Sequence, residues 1–118
     1  MELNTMQEAF VNMIIESWRF AKTYAKMVEK MNVTEKNKYV GRYNWYMQKL
    51  VENAEKAGLK IKEYQLGEAF DPGMAVTSLN MDEFEVGAQL IIEQMMEPII
   101  VGNDGHIIKS GTVMLRRA

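Results

Sequence analysis

The fold turns on one stretch: Leu50-Val51-Glu52-Asn53-Ala54-Glu55-Lys56-Ala57-Gly58, followed by Leu59-Lys60-Ile61-Lys62-Glu63-Tyr64. Before Gly58 the apolar residues recur every three or four positions, the period of a helix. After it they alternate with polar ones, the period of a half-buried strand. Gly58 itself stands where a left-handed residue ends a helix at little cost. Composition changes at the same place. Residues 1–58 hold two of the eight glycines, neither proline and eight of the eleven aromatics. Residues 59–118 hold six glycines, Pro72 and Pro98, and only Tyr64, Phe70 and Phe84 among aromatics. Charge divides too, with nine basic against seven acidic residues in the first part and five against nine in the second. The expected fold is α+β, with a helical part over residues 1–58 and a small all-β part over residues 59–118.

Upstream of that stretch, Thr5 and Glu8 have the spacing of a capping box. Phe10, Met13, Ile14, Ser17, Ala21, Tyr24, Ala25, Val28 and Met31 then recur at helical spacing, with Glu8, Asn12, Glu16, Arg19, Lys26 and Lys30 opposite. A second row, Val11, Ile15 and Trp18, makes the apolar stripe wider than one neighbouring helix covers. The helix is expected to end near Asn32. Thr34 is the expected N-cap of the next helix, with Glu35 beside the positive end of its dipole. Its stripe runs through Tyr39, Val40, Tyr43, Tyr46, Met47, Leu50, Val51, Ala54 and Ala57. Two helices of about 26 and 23 residues joined by a short loop read as an αα-hairpin. A hairpin with such wide stripes buries both faces either by pairing with a second copy in a four-helix bundle or under the β part of its own chain. For the bundle, the interface residues would be Phe10, Ile14, Trp18, Tyr43, Met47 and Leu50.

In the second part, Asp71-Pro72-Gly73 is a turn and Met74–Leu79 a strand, while 82–87 is a charged loop. Leu90-Ile91-Ile92 begins another strand. Ile99-Ile100-Val101 and His106-Ile107-Ile108 flank the hairpin turn Gly102-Asn103-Asp104-Gly105, and Thr112–Leu115 closes the chain as a strand.

Several function classes are excluded by composition. With 118 residues, 47% hydrophobic and 25% charged, the chain can bury a core and is not disordered as a whole. No run approaches a membrane span, and Met1-Glu2-Leu3-Asn4 lacks the basic and apolar regions of a signal peptide, so a cytoplasmic protein is expected, with no membrane partner. The absence of cysteine removes disulfides, thiolate metal sites and cysteine nucleophiles. A net charge of −2 speaks against binding nucleic acid through its phosphates.

Catalytic chemistry needs converging titratable groups, and few are offered. His106, the one imidazole, lies beside a hairpin turn, either merely exposed or in a contact or catalytic role. The acidic run Asp82–Glu85 lacks the alternating oxygen ligands of a calcium loop and reads first as a solvated turn. Gly102–Gly105 is not a phosphate loop, because no Lys-Ser/Thr or helix follows. The expectation is therefore no enzyme, no cofactor and no metal. Three features carry a cost with no evident local return. Gly41 sits early in the second helix, where glycine costs about 1 kcal/mol against alanine; it permits either a close helix–helix approach or the approach of a partner. Eleven methionines, with Met95-Met96 among them, suit either core packing or an adaptable binding surface. Phe70, just before Asp71-Pro72, is either turn packing or an anchor for a protein partner.

Taken in order, these pieces resemble the GrpE family, the nucleotide exchange factors of DnaK-type chaperones, over about residues 36–116. The residues that carry the resemblance are Gly41, Met47-Gln48-Lys49-Leu50-Val51, Lys56-Ala57-Gly58-Leu59-Lys60-Ile61, and Gly67-Glu68-Ala69-Phe70-Asp71-Pro72. Val86-Gly87-Ala88-Gln89-Leu90 and Lys109-Ser110-Gly111-Thr112-Val113-Met114-Leu115 follow. The Gly-x-x-Phe-Asp-Pro turn is the most specific of them. After Asp-Pro the family continues Asn-x-His-Glu-Ala-Val, whereas this chain has Gly73-Met74-Ala75-Val76. The resemblance implies a short member without the family's long N-terminal helix, dimeric through a four-helix bundle. Each β part would bind a chaperone ATPase domain and favour its open cleft, so that ADP leaves faster. It further implies partner contacts at Phe70, Asp71 and Pro72, with Gly41 near the bundle and Met95, Met96 and Leu115 as additional candidates. A GrpE-like dimeric adaptor without exchange activity is the second reading. An unrelated enzyme or small-molecule domain is the third, and would show a deep pocket with converging titratable groups.

Overall fold

In the computed structural model the described residues are 3–118; Met1 and Glu2, on which the signal-peptide reading partly rests, lie outside them. The chain is α+β and forms two compact units, Met1–Gly58 and Leu59–Ala118.

The first unit is two helices, α1 (Thr5–Glu29) and α2 (Val33–Lys56). The capping box exists one residue earlier than the sequence suggests. Asn4 is the extended N-cap; its side chain accepts from the Gln7 N–H at 2.8 Å, and Gln7 Oε1 accepts from the Asn4 N–H at 2.9 Å. Asn4-x-x-Gln7 and Thr5-x-x-Glu8 both fit the box pattern, and the amide pair satisfies the earlier donors. The second helix likewise starts before Thr34. Asn32 caps it by accepting from the Glu35 N–H at 3.0 Å. The connection is thus Lys30-Met31-Asn32, and Tyr24 of α1 meets Tyr39 of α2 edge-on across it, with ring centroids 6.4 Å apart. Gly58 has φ 80°, the left-handed conformation expected where α2 stops.

The second unit has six strands: β1 (Leu59–Lys62), β2 (Val76–Ser78), β3 (Leu90–Glu97), β4 (Ile99–Gly102), β5 (Ile107–Lys109) and β6 (Gly111–Arg117). They form two three-stranded sheets, ordered β1-β4-β5 and β2-β6-β3. The first is antiparallel throughout, with Ile61 opposite Ile100. In the second, β3 runs antiparallel to β6, but β2 runs parallel to it, with Val76 opposite Gly111. The strand expected at Met74–Leu79 is shorter because the Met74 N–H still donates to the Asp71 carbonyl within the turn, at 2.9 Å.

The chain changes sheets twice at one corner: at buried Pro98 between β3 and β4, and at Ser110 between β5 and β6. Here Gly111 is obligatory for space. A Cβ on it would stand 2.7 Å from the Glu97 carbonyl oxygen and 3.2 Å from Ile99. Ile92, Ile99, Ile100, Val101, Val113 and Leu115 are buried in this unit, and burial alternates along β6 as a strand with one inward face requires.

One polar side chain is part of that buried set. Asn80 Oδ1 accepts from the Leu115 N–H at 2.9 Å, and its Nδ2 donates to the Leu115 carbonyl at 2.8 Å. A side-chain amide so completes the β6 ladder where no strand residue stands, while Ser78 Oγ meets Asn80 from behind. Removing it strands a buried donor and a buried acceptor. Asn80→Ala is therefore expected to lower stability by about 2–3 kcal/mol, read as a shift in urea midpoint at unchanged m-value.

Candidate functional site

The Gly67–Pro72 turn lies in the β unit and is held at both ends. Its first half runs along the free edge of β3. The Gly67 N–H donates to Ile92 at 2.8 Å, the Ile92 N–H to Glu68 at 3.0 Å, and the Phe70 N–H to Leu90 at 2.9 Å. Its second half closes on Asp71, whose Oδ1 accepts from the Gly73 N–H at 3.0 Å. Two residues beyond Gly73, the Ala75 N–H donates to the Tyr64 hydroxyl oxygen at 3.1 Å. Phe70 is half-buried, and Asp71, Pro72 and the preceding Leu66 are exposed. Phe70 is thus a partly seated ring rather than a fully exposed one, next to an exposed carboxylate and an exposed proline. A pre-ordered turn of this kind loses little entropy on docking.

The other partner candidates do not join it. Met95 and Leu115 are 7% and 1% exposed. They face inward from β3 and β6, so as core residues they offer no side-chain surface to a partner, contrary to expectation. Met96, unpaired at an irregularity of the β3–β6 ladder, is half-buried.

Two ion pairs shape the rest of this unit's surface. Arg117 donates through both guanidinium nitrogens to Glu85, and its charge lies 5.8 Å from the Phe84 ring centroid. The Arg117 hydrogen bonds hold the Glu85 carboxyl below its ordinary range. At the β4–β5 hairpin, His106 Nδ1 lies 2.6 Å from Asp104 Oδ2, and the His106 backbone N–H donates to Asp104 Oδ1 at 3.0 Å. Both side chains are exposed. The pair fastens the turn. Among the described residues, no three His, Asp or Glu side chains gather as a metal site.

In the helical unit the structure corrects the expected interface. Ile14 and Trp18 are 3% and 1% exposed within a single chain, together with Val11, Ile15, Ala21 and Val28. They have no surface left for a second copy. Phe10, Tyr43, Met47 and Leu50 keep part of theirs. A different row is open. Met6, Met13, Phe20 and Met27 recur every seven residues and are 60–81% exposed. Phe10, Ser17, Tyr24 and Met31, half-buried, alternate with them at the four-and-three spacing of a coiled-coil seam. Sequence analysis placed Met13 in the broad stripe with Phe10, Ser17, Tyr24 and Met31 and left out Met6, Phe20 and Met27; the strict seven-residue spacing was the signal that would have found them.

Midway along the hairpin a groove of about 570 Å³ opens between Phe20 and Tyr24 of α1 and Gly41, Tyr43, Trp45 and Tyr46 of α2. Lys38 and Arg42 stand at its edge, and no carboxylate or imidazole lines it. A Cβ built on Gly41 would meet nothing within 4 Å, so close approach of α1 does not account for this glycine.

No protein-family model, curated protein or solved structure matches the chain.

Asp104 supplies a pH test. Its carboxyl lies below the ordinary 3.8, chiefly through the hydrogen bond with His106. A depressed carboxyl stabilises the fold fully above its unfolded value and loses that contribution as pH falls through the folded one. NMR titration should place the Asp104 midpoint below 3.8, and His106→Ala should move it back up.

Proposed function

We propose that this chain is a GrpE-like co-chaperone whose β unit binds the ATPase domain of a DnaK-type chaperone and promotes ADP release. The observation that carries the reading is the Gly67–Pro72 turn, tied to β3 by three backbone hydrogen bonds and presenting Phe70, Asp71 and Pro72 together. It stands in a β unit that follows a two-helix unit, the order the resemblance implies. No covalent step is involved. The factor binds the open-cleft state of the ATPase better than the closed one and shifts their populations by that difference alone.

The helical unit serves as the dimerisation module, with two hairpins making a four-helix bundle. The exposed row Met6, Met13, Phe20 and Met27 supports this, since an apolar row of that regularity left in water is an association surface. Phe10, Tyr43, Met47 and Leu50 remain on the interface side of the reading, while Ile14 and Trp18, already buried within a single chain, do not. Among the described residues no helix is long and apolar enough to cross a membrane, and the proposed place of action is the cytoplasm. A dimeric adaptor that binds without exchanging nucleotide is the second reading, favoured by Gly73-Met74-Ala75-Val76 where the family has His-Glu.

The deciding measurement is release of fluorescent ADP from a DnaK-type ATPase domain. Acceleration at micromolar protein supports exchange; binding at an unchanged release rate selects the adaptor; neither binding nor acceleration removes the proposal. Phe70→Ala is expected to weaken the complex by about 1–2 kcal/mol, roughly 5–30-fold, with the melting temperature unchanged. An equal loss of melting temperature and binding would make Phe70 purely structural.

A further inference from the structure

The groove around Gly41 and the ring of Phe20 lie on the same patch, one a hollow and the other a projection. We infer that the occupant of this groove is a second copy of the chain, and that Phe20 of each copy fills the space left above Gly41 of the other. The inference rests on the dimeric reading above and specifies its contact.

Three observations carry it. First, Gly41 costs α2 about 1 kcal/mol relative to alanine, and beyond its own stretch of helix nothing comes within 4 Å of where a Cβ would be. No contact with the rest of the chain accounts for the missing side chain, which leaves a hollow open to a partner. Second, the open row Met6, Met13, Phe20 and Met27 repeats over nearly the whole 25-residue helix. Such a row needs a helix of similar length with the same repeat, and α1 of a second copy is one. A twofold interface puts the same patch on both sides, so residue i meets j and j meets i. Phe20 and Gly41 line one groove near the middle of the row, so an axis passing between them sets each Phe20 against the other copy's Gly41. Third, the area is sufficient. Taking about 200 Å² for a fully exposed side chain of this size, the exposed fractions of Met6, Met13, Phe20, Met27, Trp45 and Tyr46 amount to roughly 750 Å². A standard interface takes about 800 Å² from each partner. The groove's walls are aromatic and its edge carries Lys38 and Arg42 without a carboxylate, so an apolar ring enters without leaving a buried acid unpaired.

A size swap tests this on the full chain by sedimentation equilibrium. Gly41→Leu should weaken the dimer about tenfold or more by occupying the hollow, and Phe20→Ala should weaken it comparably by removing the ring. Combined, Phe20→Ala with Gly41→Leu exchanges the two volumes and should recover to within about fivefold of the unmodified chain. Gly41→Ala is the folding control. It should keep or raise helical circular dichroism and melting temperature while still weakening association. Additive losses in the double variant, or a dimer indifferent to Gly41→Leu, would overturn the Phe20–Gly41 contact yet leave the dimer standing, with the groove open to another occupant. An unmodified chain that sediments as a monomer at every concentration would overturn the dimer and this contact together.

Discussion

Helix α1 is apolar on two sides, and most of what this molecule does follows from that. One side, from Val11 through Trp18 to Val28, is buried in a single chain. The other, with Met6, Met13, Phe20 and Met27, keeps a seven-residue repeat in the open. Burying apolar surface yields about 25 cal/mol for each Å² removed from water, so a row of this length is a standing drive to associate. Gly41, inside α2 and beside an aromatic-walled groove, leaves open space where a side chain would stand.

The β unit solves a different problem. Two small sheets with few strands have many edges, and unpaired edges invite association. The chain limits them with devices other than strands. The Gly67–Phe70 segment lies along β3, and Asn80 hydrogen-bonds β6 with its side chain. The corner at Pro98 and Gly111 lets the chain pass between sheets where no Cβ would fit. Ordering the 67–70 segment against β3 also makes the next turn rigid, so edge protection and presentation of Phe70, Asp71 and Pro72 come from the same hydrogen bonds. A surface that is already ordered binds without the cost of ordering it.

Much of this was legible in advance, for identifiable reasons. The change of period at Gly58 places the end of α2 and the start of β1, because helical and alternating patterns cannot both suit one residue run. The Asp71-Pro72-Gly73 turn and the Gly102–Gly105 hairpin were readable because their residues restrict the backbone locally. The helix caps were readable only to within one or two residues, since Asn4 and Asn32 compete with Thr5 and Thr34 for the same role and the choice depends on which N–H groups lie in reach. Among the expected site residues, Met95 and Leu115 proved to be core, and Ile14 and Trp18 are buried within a single chain.

The sequence by itself determined the element types, their order and the local turns, because periodicity, capping and glycine or proline chemistry act over a few residues. Only the tertiary structure decided which apolar row of α1 turns inward, that β2 runs parallel to β6, and that Asn80 reaches Leu115 across 35 positions. These depend on contacts between residues far apart in the chain, where many pairings satisfy the same pattern and packing selects one.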